Sequence, residues 1–296
     1  MDYYAHGKLL LTGEYLILKG VKSLTVPTTR GQRLQTKKID SNHLEWISYD
    51  LNNQIWFSGI FTSKGECLES TDSKIAEGIR SILRASMALG GNSWVGQKAI
   101  FYLEFEREWG LGSSSTMTSL VGQWLGVDPM KLHFKTSRGS GYDVAIAQTK
   151  SAGIYQLTQK GHSLKPLVYD PPFADDLFFV HLNQKQDSAQ DVKSFLQNSS
   201  IEKHLLDSIN QSTQNWLSAT SIQELERVIV KHEEVLSQCL GKTTIKNSLF
   251  ADYTGCVKSL GAWGGDFVLV TRKEALTYFP SKGYPTVLTW DQMVLG

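Results

Sequence analysis

The sequence predicts an α+β fold, with helices covering one face of mostly antiparallel sheets. Three observations carry this. Segments with strand character and segments with helical spacing alternate irregularly. Both halves of the chain hold both kinds. The first extended run lacks the glycine turn and helix that open a dinucleotide-binding parallel sheet. At 296 residues the chain has room for one large domain or two moderate ones. The break Asp170-Pro171-Pro172 sets the expected boundary, giving domains 1–169 and 170–296.

In order, residues 8–19 read as extended, carried by Leu9-Leu10-Leu11 and Leu16-Ile17-Leu18 around Gly13 and closed by Gly20. Segments 23–26, 44–49 and 54–61 are rich in β-branched and aromatic residues and read as strands. Over 73–89, Ile75, Ile79, Ile82, Leu83 and Met87 share a helical face, which ends at Gly90-Gly91. Segment 99–105 alternates as a strand. Helices follow at 115–125, from Pro129 to near Gly139, and at 144–147. Segments 153–157 and 164–169 form a hairpin turning near Gly161, and 177–182 is a strong strand. Helical spacing covers 191–196, 201–209, 215–217 and 222–236, with Glu224, Glu226, Lys231 and Glu233 on solvated faces. A helix is expected at 247–260, then strands at 267–271 and 286–290.

Composition narrows the function. Lys+Arg 30 against Asp+Glu 29 gives a net charge of +1, which offers nucleic acid no long-range attraction. Cys67, Cys239 and Cys256 are odd in number and widely spaced, so neither a disulfide framework nor a zinc site is expected. The opening MDYYAHGKLLLTGEY does not read as a signal peptide, and no apolar run is long enough to span a bilayer, so the cytoplasm is the expected compartment.

The richest stretch is Glu108-Trp109-Gly110-Leu111-Gly112-Ser113-Ser114-Ser115-Thr116, a glycine turn followed by hydroxyl residues that open an apolar helix. Glycines let the backbone approach an anion, and the unpaired amides and dipole of a first helical turn attract it. A phosphate is the natural guest, although the loop is not a Walker A sequence, because no GK[ST] follows. Asp143, after Gly139-Ser140-Gly141-Tyr142, reads as a helix cap, as a general base presented by a glycine turn, or as both at once. Trp109 and Trp263 flank two glycine loops and read as packing residues.

Four of these segments, in chain order, resemble the motifs of the GHMP kinases, the kinases of galactose, homoserine, mevalonate and phosphomevalonate. HGKLLLTGEYLILKG resembles their opening strand-turn-strand and GLGSSST their phosphate loop. GSGYDVAIAQ resembles their catalytic-aspartate segment and GAWGGDF their C-terminal glycine loop. The resemblance implies an N-terminal α+β domain, a C-terminal ferredoxin-like domain and an active site in the cleft between them. It implies an ATP-dependent phosphotransferase acting on a small molecule, with Mg²⁺ as cofactor; a homodimer is compatible with it. By resemblance, Gly110, Leu111, Gly112, Ser113, Ser114, Ser115 and Thr116 cradle the triphosphate and Ser114 also ligates Mg²⁺. Asp143 is then the base, with Lys8 the cation beside it. Glu14, Ser140, Gly141, Lys185, Ser188, Gly264, Gly265 and Asp266 form the expected acceptor side. GSGYD and the acidic Asp266 lean toward the phosphomevalonate kinases and isoprenoid precursor synthesis. Two departures mark a divergent subgroup: no glutamate lies in 123–140, and Arg107-Glu108-Trp109 replaces the usual proline ahead of the phosphate loop.

Overall fold

The structure, a computed structural model, describes residues 1–184, 195 and 201–296. The helix expected at 191–196 therefore falls outside the described residues, save Phe195. The chain forms two compact units that interleave along the sequence. One comprises Met1–Gly7, Arg30–Arg107 and Leu111–Thr149; the other comprises Lys8–Thr29, Glu108–Gly110 and Lys150–Gly296. This grouping differs from a single cut after Tyr169, because the segments 8–29 and 150–169 pack with the C-terminal residues.

The first unit takes the opening part of β1 (Asp2–Leu10), up to Gly7, and the later part of the long strand β2 (Ser23–Lys38). It continues with β3 (Leu44–Tyr49), β4 (Ile55–Phe61), β5 (Cys67–Ser70), helix α1 (Ser73–Ala88) and β6 (Gln97–Leu103). Then come α2 (Ser113–Leu125), α3 (Pro129–Thr136) and α4 (Tyr142–Ile146). Its sheet runs in the order β5-β4-β3-β6-β2, with only β3 and β6 parallel. Alternation in β3 places Leu44, Trp46 and Ser48 inward, and Trp46 stacks on Phe101 with centroids 4.2 Å apart. Helix α1 starts at Asp72, whose carboxylate accepts the N–H groups of Lys74 and Ile75, and lays Ile79, Ile82 and Leu83 on that core.

In the second unit the early part of β2 pairs with β7 (Ala152–Thr158), which pairs with β8 (Gly161–Leu167). A separate antiparallel sheet is built from β9 (Leu177–His181), β10 (Val257–Ser259), β11 (Phe267–Thr271) and β12 (Val287–Thr289), in the order β10-β11-β9-β12. The helices Lys203–Ser218 and Ile222–Leu240 lie between β9 and β10 in sequence, and the helix Ala275–Ser281 lies between β11 and β12. That succession and that strand order are those of a ferredoxin-like domain. No helix among the described residues is long and apolar enough to cross a membrane.

Three expectations are corrected. The extended run does not continue to residue 19: β1 ends at Leu10, and Leu16–Lys19 is a 3-10 turn. Gly13 at φ +86° and Tyr15 at φ +59° turn the backbone, and Ile17 N–H then bonds Gly13 O at 2.8 Å. A Cβ on Gly13 would stand 2.3 Å from Ser23 Oγ, so no other residue fits. The helix expected over 247–260 stops at Leu249, and Val257–Ser259 is a strand paired with β11. So short a segment, buried at every position and with a lysine and a serine among its residues, carries no period to tell helix from strand. Finally, Glu233 is not solvated: it is 3% exposed.

Candidate functional site

The glycine turn ahead of α2 holds two left-handed glycines, Gly110 at φ +63° and Gly112 at φ +92°, the latter being the N-cap of α2. As a glycine, this N-cap residue offers no side-chain cap. Thr116 N–H makes the first helical bond, to Gly112 O at 2.9 Å, which leaves the amides of Ser113, Ser114 and Ser115 without intrahelical partners. Ser115 and Thr116 are buried and turn inward: Ser115 Oγ donates to Gly112 O at 2.8 Å, and Thr116 Oγ1 donates to Gln32 Oε1 at 2.8 Å. Leu111 is buried as an anchor, whereas Ser114 is exposed on the first turn. A hard hydroxyl oxygen beside an anion seat suits Mg²⁺, which takes oxygen ligands and keeps several waters.

Asp143 sits in the first turn of α4 and is half-buried. The cap reading is corrected, because the N-cap is Gly141, in the left-handed region at φ +79°. Asp143 Oδ1 accepts the N–H of Val144 at 3.0 Å, and a carboxylate at a helix start is favoured by the dipole. Ser140 is buried, and Gly141 packs on Met130, His133 and Phe134.

In the second unit Lys8, Gly110 and Asp266 come together. Lys8 Nζ donates to Gly110 O at 2.8 Å. Asp266, at φ +51°, presses its carboxylate on the same glycine, where a Cβ would lie 2.2 Å from Oδ2. Asp266 is held by its backbone: its N–H donates to Gln184 O at 2.9 Å, and its carbonyl accepts from Leu182 N–H at 2.8 Å. Gly265 is buried and Gly264, at φ +83°, lies over Ile245. Trp263 is buried with its indole N–H on Thr243 O at 3.1 Å, which is the packing role expected of it. Lys185 and Ser188 lie outside the described residues.

Glu14 has a different setting from the one expected. It is 1% exposed and forms an ion pair with Lys258, itself fully buried. His232 and Glu233 complete a buried quartet. Gly13 N–H donates to His232 Nε2 at 2.9 Å, Glu233 Oε1 lies 3.7 Å from Lys258 Nζ, and Ser259 N–H donates to Glu233 Oε2 at 3.1 Å. His232 Nε2 is only 3.6 Å from Glu14 Oε2 but, being an acceptor already, it carries no proton for that carboxylate. Sequence reasoning missed Lys258, His232 and Glu233. The available signal was a lysine inside the apolar run Cys256-Val257-Lys258-Ser259-Leu260.

The quartet carries opposed pH dependences. Burial, then the Lys258 cation, push the His232 pKa from 6.5 down to about 3, against the pull of Glu14. Burial raises that of Glu233 above 4.5, with Lys258 opposing. A depressed pKa contributes stability present above 6.5 and lost as pH falls toward 3; a raised one contributes stability present below 4.5 and lost as pH rises. Above pH 4.5 the two therefore act in opposite directions. Glu233→Gln is expected to expose the His232 slope, about 1.4 kcal/mol lost per pH unit below pH 6.5. His232→Gln should instead gain stability on acidification. Urea midpoints across this range measure both, and parallel curves for the two variants would refute the assignment.

With this geometry in place, the class of fold is plain: the chain has the two-domain fold of the GHMP kinases. The structure is similar to Streptococcus pneumoniae phosphomevalonate kinase in complex with phosphomevalonate and AMPPNP, at 18% identity over 96% of this chain and 95% of that one, with TM-score 0.70. Lactococcus lactis galactokinase complexed with galactose matches at 14% identity over 100% and 93% of the two chains, TM-score 0.71. Methanococcus jannaschii mevalonate kinase matches at 14% identity over 95% and 94%, TM-score 0.68. No family model and no curated protein matches the sequence.

Proposed function

We propose that this chain is an ATP-dependent small-molecule kinase that transfers the γ-phosphoryl group to a hydroxyl or phosphate acceptor, phosphomevalonate being the first choice. The observation that carries the reading is the uncapped mouth of α2. Three consecutive amides there lack helical partners, and the exposed Ser114 hydroxyl stands among them. Two chemically matched groups on two further motifs support it: Lys8 on the first glycine of the loop, and Asp143 on the first turn of α4.

Phosphoryl transfer needs positioning and charge stabilisation more than covalent help. The amides of Ser113, Ser114 and Ser115 would cradle the polyphosphate, with Gly110, Leu111, Gly112 and Thr116 shaping the turn that presents them. Ser114 would hold Mg²⁺, which would supply positive charge against the phosphates. Lys8 would add a cation where charge develops. Asp143 would orient the acceptor and take its proton. Ser140, Gly141, Gly264, Gly265 and Asp266 remain the acceptor-side candidates, with Lys185 and Ser188. The similarity to a phosphomevalonate kinase and the GSGYD pattern favour a phosphorylated acceptor.

Coupled ADP release over a panel of phosphomevalonate, mevalonate and galactose tests this. Turnover with phosphomevalonate is expected. Turnover only with mevalonate or galactose would move the assignment to a mevalonate or sugar kinase. Nucleotide binding with no ADP release across the panel would instead mark a non-catalytic nucleotide-binding homologue, in keeping with the absence of glutamate from 123–140.

A further inference from the structure

The residues of the opening turn are each tied to a different part of their unit. Thr12 Oγ1 shares a hydrogen bond with Thr213 Oγ1 at 2.8 Å and accepts Leu24 N–H at 2.9 Å. Gly13 N–H ends on His232, and Glu14 ends on Lys258. Tyr15, at φ +59°, accepts the backbone N–H of Trp263 on its phenol oxygen at 2.7 Å. Two of these ties reach one feature. Lys258 lies at the root of the C-terminal glycine loop, where its Nζ also donates to Ser259 O at 2.9 Å, and Trp263 lies inside that loop. A non-glycine residue in the left-handed region persists only where its surroundings over-determine it, and here they do.

We propose that the opening turn does not touch the acceptor but serves as the template of the glycine loop 261–266. Tyr15 and Lys258 are then positioning residues that set the conformation in which Gly264, Gly265 and Asp266 meet the acceptor. Glu14, buried and ion-paired, acts through Lys258. The chemistry suits the task. The loop's amides would otherwise sample many conformations, because Gly261 and Gly264 occupy φ values open to glycine. A buried phenol oxygen holds the loop at Trp263, and a buried ammonium holds Ser259, the strand residue that leads into it.

The acceptor half of this inference rests on the kinase reading; the conformational half does not, and the test separates them. Tyr15→Phe keeps the ring and removes only the oxygen. Hydrogen–deuterium exchange on the full chain should then show peptides covering 261–266 exchanging about tenfold faster, as expected for one lost buried hydrogen bond. Peptides from α2 should be unchanged. With phosphomevalonate as probe, KM for the acceptor should rise about fivefold while the nucleotide dissociation constant stays fixed, since only loop pre-organisation is lost. Unchanged exchange at 261–266, or equal acceleration in α2, overturns the template. Faster loop exchange with an unmoved acceptor KM overturns its role in recognition. Faster loop exchange in a protein with no turnover on any acceptor leaves the template standing and refutes the kinase reading.

Discussion

Asp143→Asn is expected to lower kcat by about 10²–10⁴-fold, the usual worth of a positioned acid–base group. The substitution is nearly isosteric, and its interpretation rests on the local geometry. Asp143 Oδ1 accepts Val144 N–H at 3.0 Å, and an asparagine oxygen can accept the same bond. The turn of α4 should survive, because Gly141 rather than Asp143 caps it. Nucleotide affinity should change by no more than about threefold, so the loss falls on kcat and marks an interaction made in the transition state. The pH dependence of the deficit then identifies what Asp143 does. A phosphate monoester has its second ionisation near about pH 6, so by about pH 8 it needs no base. A deficit that shrinks over that interval marks proton removal from a phosphate acceptor. One that stays constant marks orientation, or a hydroxyl acceptor whose proton must still be taken. A variant as fast as the parent at every pH would remove Asp143 from the mechanism.

What could be read from the sequence was what neighbouring residues encode. The start of α2 was legible because two left-handed glycines and a run of hydroxyls are a local signal, written within a few residues. Helix α1 was legible because Ile75, Ile79, Ile82 and Leu83 repeat with the helical period and Gly90-Gly91 end it. The strand β10 was not, since the buried run 256–260 has no period and its pairing with β11 is set by the sheet. The same limit hid the quartet. Glu233 lies on a helix with charged neighbours and reads as solvated. Its burial is decided by Lys258, and that of Glu14 by a residue 244 positions away. Charge on a helix face tells nothing of a partner so distant in sequence. Glu14 was accordingly assigned to the acceptor on motif grounds, whereas its geometry directs it into the protein.

That geometry leads to the second large effect. Lys258→Met should destabilise the fold by about 3–5 kcal/mol, the cost of leaving a buried charge without its partner. Glu14, 1% exposed, would face the apolar interior with its carboxylate uncompensated, and Glu233, 3% exposed, would lose the same neighbour. Methionine fills the volume of the lysine stem, so a cavity does not explain the loss. For a chain of this size each kcal/mol lowers Tm by about 2–4 °C, so a drop of roughly 10 °C is expected in calorimetry. The decisive comparison is the double variant Glu14→Gln/Lys258→Met. If the penalty is electrostatic, removing the Glu14 charge restores the part of the lost stability that belongs to that pair, because a buried pair replaced as a pair costs far less than one broken. If the penalty comes from packing or from the hydrogen bond to Ser259 O, the double variant stays as unstable as the single one. Full recovery would also show that the ion pair fixes the shape of the opening turn more than it contributes to net stability. The exchange of the glycine loop would then stay fast in the doubly substituted protein even after its Tm had returned.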